Sequence, residues 1–286
     1  MKRLTESAYA KINLTLDVCG LRPDGYHDLE MVMQSVSLCD RLTLTLREEA
    51  GIVLESDRED LPRDRKNLAV DAAHRLLEAA GREAQGLSIA IDKRIPVCAG
   101  TAGGSSDAAA VLRGLNRLMG EPFTVAELCR LGEQVGSDVP YCVLGETVLA
   151  EGKGEQLTHL AKMPDCAIVL CKPDFSVSTP WLFGRIDAHP PQARPDTAGM
   201  RKALESGDLA QIAGKLCNVF EEALPEAERQ EISQIKERLC AMGALSACMT
   251  GTGSTVFGIF PDEATAAQAM AKLRESYKEV FLTRPV

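Results

Sequence analysis

The chain has 286 residues, 45% of them hydrophobic and 26% charged, with a net charge of -9. That length exceeds one average domain, and the apolar share suits an ordinary globule with a sizeable core. The acidic balance disfavours a broad nucleic-acid surface, which needs basic charge to meet phosphates, and leaves room only for a local basic pocket for a small anion.

In chain order, SAYAKINLTLDV alternates: Ile12, Leu14 and Leu16 share one face of a strand and Lys11, Asn13 and Thr15 the other. RPDGYH breaks it with turn chemistry, and RLTLTLRE alternates again. NLAVDAAHRLLEAAG reads as a helix with Asn67 as N-cap and Gly81 as its stop. LSIAIDK is a strand that runs into a small-residue loop and a helix. TVAELCRLGEQVG is a further helix begun by Thr124. SDVPYCVLG reads as a loop and ETVLAEGKGE as a strand. Beyond Leu160, CAIVLCKP is a short buried strand, followed by helical stretches around Thr179–Ile186, Thr197–Leu216 and Ala227–Met242. LSACM, the turn-rich TGTGS, TVFGIF, the helix DEATAAQAMAKLRES and the strand KEVFLT complete the chain. This second half reduces to β-α-β-β-α-β, the ferredoxin-like arrangement, with extra helices in its first crossover. The fold class is therefore α+β, with one domain over 1–158 and a second over 159–286.

The ten cysteines form no CxxC pair and the four histidines do not cluster with them, so metal-ligand spacing is absent. They read as reduced, mostly buried thiols of a cytoplasmic protein. The start, MKRLTESAYAKINL, lacks an apolar signal core, and no run approaches the roughly 20 apolar residues of a membrane span.

The most informative stretch is IPVCAGTAGGSSDAAAV. A strand, a small-residue loop and a helix start follow one another. The first N–H groups of a helix lack partners and carry the positive end of its dipole, which suits a phosphate. Gly100, Gly103 and Gly104 let main chain approach phosphate oxygens, and Ser105 and Ser106 add hydroxyls for phosphate or a magnesium ion. The bland alternative is a glycine turn with a serine N-cap. The loop is neither a P-loop nor a dinucleotide fingerprint, since both spacings are missing. Lys11 alone reads as a solvated strand lysine, and Asp138, between a helix end and Pro140, as a cap. Brought together, the cation would hold the carboxylate ionised, and such an aspartate can take a proton from an alcohol during phosphoryl transfer. Tyr26 and His27 follow a tight turn and could stack on a base or pack the turn. MTGTGST is a second small-residue loop, or a plain hairpin bulge.

Taken together, AYAKINLTLDV, IPVCAGTAGGSSDAA, GSDVPYC and MTGTGSTVFG resemble the motifs of the galactokinase–homoserine kinase–mevalonate kinase–phosphomevalonate kinase superfamily. LRPDGYHDLEMVMQSVSLCDRL resembles the substrate segment of the branch that acts on a cytidine diphosphate-linked methylerythritol. The resemblance implies a ribosomal-protein-S5-like N-terminal domain and a ferredoxin-like C-terminal one. It implies transfer of phosphate from ATP, with Mg2+, to the 2-hydroxyl of that small molecule in non-mevalonate isoprenoid synthesis, by a monomer or weak homodimer.

Carried across, Lys11 and Asp138 match the catalytic pair. Pro96, Val97, Cys98, Ala99, Gly100, Thr101, Ala102, Gly103, Gly104, Ser105 and Ser106 match the phosphate loop, with Ser106 the candidate magnesium ligand. Asn67 and Lys93 match positions lining the adenine pocket. Asn13 matches a residue near the substrate hydroxyl, and Tyr26, His27 and Phe183 the cytidine clamp. Cys98, Thr101 and Ala102 depart from the usual Gly, Leu and Gly, and Ser254 stands where proline is frequent. Two alternatives remain at this point: another small-alcohol kinase of the superfamily, against which the clamp residues argue, and a catalytically silent nucleotide-binding relative, against which Lys11 and Asp138 argue.

Overall fold

Strand β1 (Arg3–Leu21) carries the predicted alternation, but both of its faces are covered. The computed structural model, which describes residues 2–286, leaves Lys11, Asn13 and Thr15 as buried as Ile12 and Leu14. The polar face of this strand is interior, which overturns the solvated reading of Lys11.

Packing sorts the chain into two units. One comprises residues up to Ala10, Cys39–Val97 and Ala102–Gly145. The other comprises Lys11–Leu38, Cys98–Thr101 and Glu146 to the end. They interleave along the chain, where the sequence pattern suggests one boundary near residue 158.

In the first unit, the second part of β2 (His27–Arg47) pairs antiparallel with β4, and β3 (Ile52–Ser56) lies parallel to β4. A parallel pair needs a crossover, and α1 (Leu68–Ala79) supplies it before β4 (Gly86–Asp92). Asn67 caps α1 as its sequence predicts: its side-chain oxygen accepts the Ala69 N–H at 3.0 Å. Helix α2 (Gly103–Leu118) lies against α1, and Leu76, Leu77, Leu87, Ile89, Val111, Leu112 and Leu115 fill one core between these helices and the sheet. Thr124 and Glu127 form a capping box that starts α3 (Val125–Glu133). The segment after it was expected to be a loop. It forms a short helix, α4 (Val139–Leu144), because Pro140 sits in the first turn, where its missing N–H costs nothing.

In the second unit, the first part of β2 pairs with β5 (Thr147–Gly152), which pairs with β6 (Gln156–His159). The ferredoxin-like half begins with β7 (Ala167–Lys172). Its first crossover carries α5 (Thr179–Ala188), then α6 (Thr197–Ser206) and α7 (Leu209–Ala213). The single helix expected over 197–216 is broken at Gly207, whose φ of +68° ends α6 while Asp208 caps α7. A two-residue strand, β8 (Cys217–Asn218), leaves this sheet to lie parallel to β1, and α8 (Phe220–Ala223) follows. Then come α9 (Glu226–Ala241), β9 (Ser246–Met249), β10 (Val256–Phe260), α10 (Glu263–Leu273) and β11 (Glu279–Thr283). The sheet order β11-β7-β10-β9 is that of the expected β-α-β-β-α-β skeleton. Of the ten cysteines, Cys166, Cys171 and Cys248 are buried and Cys19, Cys98 and Cys240 are exposed, so fewer are interior than expected. Burial pushes the Cys248 thiol well above its ordinary range.

Candidate active site

The two small-residue loops singled out in the sequence meet in the second unit. The Thr255 N–H donates to the Ala99 carbonyl at 3.3 Å, and Gly100, at φ +75°, lies so close that a Cβ would overlap the Thr250 carbonyl oxygen. Only glycine fits there, for both reasons. On the other side of the loop, the Lys11 N–H donates to the Thr101 carbonyl at 3.2 Å.

The same contacts organise the polar face of β1. The Asn13 side-chain oxygen accepts from the Lys11 ammonium at 2.8 Å and from the Gly251 N–H at 2.9 Å. The Thr250 hydroxyl accepts the Asn13 N–H at 3.0 Å and lies 3.2 Å from the Asn13 oxygen. Lys11 is 3% exposed and Asn13 fully buried, so their orientation is set by these bonds rather than by water. Asn218 holds the second loop from behind, donating to the Met249 and Gly251 carbonyls at 2.8 Å each. Ser254, where proline is common in the resemblance, is buried and donates to the Phe175 carbonyl at 2.6 Å.

In the first unit, α2 begins after Ala102 with no side-chain cap. The earliest N–H of this turn to find an intrahelical acceptor is that of Ser106, on the Ala102 carbonyl at 2.8 Å. The N–H groups of Gly103, Gly104 and Ser105 precede it at the positive end of the dipole, and Gly104 is exposed. That arrangement fits an anion. Cys98 and Ala102, the departures from glycine, sit at φ +53° and +58°, in the left-handed region where L-residues are strained.

Asp138 is the residue before α4 and gives that helix no side-chain cap bond, so it is not the simple cap that its position suggested. Helix α4 packs on α2, and a Cβ on Gly136 would lie 4.0 Å from the Ser105 hydroxyl.

Three of the expected site residues have partners within the protein. The Ser106 hydroxyl is buried and donates to the Tyr9 carbonyl at 2.6 Å, tying α2 to β1 and leaving its oxygen lone pairs for any ligand. Asn67 spends its amide on α1 and on the Pro62 carbonyl at 3.1 Å. The Lys93 ammonium is buried between Asp40 at 2.5 Å and Asp107 at 2.7 Å, so it faces carboxylates rather than an open pocket. No group of three or more His, Cys, Asp or Glu among the described residues could hold a metal ion by itself.

His27, Phe183 and Phe220 gather in the second unit. The His27 ring stacks on Phe183 with centroids 4.5 Å apart, and Phe183 meets Phe220 edge-on at 5.0 Å. Asp187, which sequence reasoning missed, bonds the His27 Nε2 at 2.8 Å. Tyr26 is 61% exposed, with the Lys153 ammonium 5.2 Å from its ring centroid.

A family model described as the GHMP kinases N terminal domain matches residues 67–146, and one described as GHMP kinases C terminal matches 200–279. A 4-diphosphocytidyl-2-C-methyl-D-erythritol kinase of Brevibacillus brevis is 44% identical, covering 99% of this chain and 96% of that one. The chain belongs to the GHMP kinase family. A kinase of the same name from Acetivibrio thermocellus is 42% identical over the whole of both chains. A crystal structure of 4-(cytidine 5'-diphospho)-2C-methyl-D-erythritol kinase superposes on this GHMP kinase with a TM-score of 0.83 and 32% identity over 99% of each chain. A homoserine kinase from Cytophaga hutchinsonii, at 19% identity and a TM-score of 0.75, shares the fold. This GHMP kinase is a small-molecule kinase, and the residues that sequence reasoning passed over, Thr250, Asn218 and Asp187, act on others rather than forming motifs of their own. The one signal for Thr250 was its place in the second small-residue loop.

Proposed function

We propose that this kinase transfers the γ-phosphoryl group of ATP to the 2-hydroxyl of 4-diphosphocytidyl-2-C-methyl-D-erythritol. The observation that carries the reading is the meeting of the two small-residue loops on the Lys11–Asn13–Thr250 cluster, beside an aromatic set suited to a base. The segment from Gly100 to Ser105 receives the triphosphate on bare N–H groups, and the α2 dipole offsets its charge. Mg2+ bound with ATP would supply positive charge against the phosphates, with the Ser105 and Ser106 hydroxyl oxygens the side-chain donors nearest the start of α2. Asp138 takes the hydroxyl proton as the alkoxide oxygen bonds the γ-phosphorus and the bond to the bridging oxygen breaks, releasing ADP. Lys11 supplies fixed positive charge for the transfer, held in place by Asn13. Positioning and electrostatics provide most of the acceleration in such reactions. His27 and Phe183, with Tyr26, hold the cytosine.

The test is ADP release by the full chain with Mg2+ and ATP, offered the cytidine substrate, mevalonate, homoserine or galactose. Turnover is expected with the first. Equal turnover with any of the others, or ATP binding without turnover of the first, overturns the reading.

A further inference from the structure

Two carboxyl groups and one ammonium lie buried together in the first unit, at the root of the phosphate loop. We infer that Asp107 is a positioning residue for the nucleotide: with Asp40 and Lys93 it forms a buried clasp that holds both stems of the loop Pro96–Ser106. This inference rests on the reading that the loop receives the phosphates of ATP.

The chain order makes the clasp. Lys93 lies just before the loop and Asp107 just after it, and the ammonium bonds Asp107 at 2.7 Å and Asp40 at 2.5 Å. The other Asp40 oxygen accepts the N–H groups of Arg94 at 2.5 Å and Ile95 at 2.8 Å, fixing the incoming stem. On the outgoing stem, a Cβ on Gly103 would lie 3.0 Å from the Ile95 side chain and 3.4 Å from the Lys93 ammonium. One cation therefore ties the entry of the loop to the first turns of α2, whose free N–H groups face the ligand.

The second Asp107 oxygen, Oδ1, is buried and has no hydrogen-bond partner. Leaving that buried oxygen dry is costly, and the bond from Lys93 to the other oxygen offsets part of the cost. The charged groups acting on it are Lys93, from the segment after β4, and Asp40, from β2. Burial pushes the Asp107 carboxyl up to about 8 against the pull of Lys93. Burial alone would lower the Lys93 ammonium, but the two carboxyl groups outweigh it and hold it above its ordinary value.

The test is calorimetric titration of ATP into the full chain, with steady-state kinetics beside it. Asp107→Ala, which cuts the clasp, is expected to weaken ATP about tenfold, with kcat at saturating ATP falling far less. Asp107→Asn, which keeps an oxygen for the Lys93 ammonium, is expected to bind ATP within about threefold of wild type. The inference is overturned if Asp107→Ala binds ATP as tightly as wild type, or if kcat falls as much as the affinity. Should Asp107→Ala fail to fold, Asp107→Leu, which fills the space without bonding Lys93, decides by the same reading. Gly104→Asp separates the two readings, since it sets a negative charge among the free N–H groups. If it leaves Kd unchanged, the loop does not hold the phosphates. If it weakens ATP while Asp107→Ala matches wild type, only the clasp fails.

Discussion

Thr250→Val removes one hydroxyl and keeps the shape of the side chain, so it isolates the bond between the second small-residue loop and β1. Thr250 and Asn13 are both fully buried. In the variant, the Asn13 N–H loses its acceptor at 3.0 Å and the Asn13 side-chain oxygen loses a hydroxyl at 3.2 Å. No water can replace either. Leaving one buried N–H unpaired costs about 1–3 kcal/mol, and the Asn13 oxygen keeps Lys11 and Gly251, so a loss of about 2 kcal/mol is expected. For a chain of 286 residues, with an unfolding entropy of about 0.6 kcal/mol/K, that lowers Tm by about 3 °C. The same loss frees Asn13, and with it Lys11, to leave their geometry. Weakening that restraint by about 1–2 kcal/mol should cut kcat about 5–30-fold, with KM for ATP changing less. Thermal unfolding and steady-state kinetics on wild type, Thr250→Val and Thr250→Ser measure both effects, and the serine variant, which keeps the hydroxyl, should recover most of each. A valine variant that unfolds within about 0.5 kcal/mol of wild type and turns over at the same rate refutes the argument that this hydroxyl orders the site.

Asp138→Asn should lower turnover about 10²–10⁴-fold while circular dichroism stays unchanged, and a loss within threefold would remove Asp138 as the base. Ala102→Gly should stabilise the chain in urea by about 0.5–1 kcal/mol, because relief of left-handed strain worth about 1–2 kcal/mol exceeds the added unfolded-state entropy. Equal or lower stability would show that the φ of +58° carries no strain. Asp187→Asn should raise KM for the cytidine substrate about two- to fivefold and leave KM for ATP alone, since Asp187 touches His27 and is itself 43% exposed. An effect on ATP instead would place Asp187 in a different role.

Local pattern determined much of this protein. Alternation marked β1 and the second part of β2, Asn67 and Thr124 marked helix starts, and the order of elements after Leu160 sufficed for the ferredoxin-like sheet. Each depends on backbone propensity or side-chain period, which act over a few residues. Two glycine-rich loops were likewise legible, because glycine is placed where nothing larger fits. Tertiary structure alone decided the rest. Alternation cannot tell a solvated polar face from a buried one, so Lys11 and Asn13 gained their meaning only when Thr250 and Gly251, more than 230 positions away in the chain, closed over them. The hydroxyl of Ser106 and the ammonium of Lys93 look available in sequence. They are spent on Tyr9, Asp40 and Asp107, partners that no local spacing names. Burial sets the cost of an unpaired polar group, and burial is a property of the folded chain.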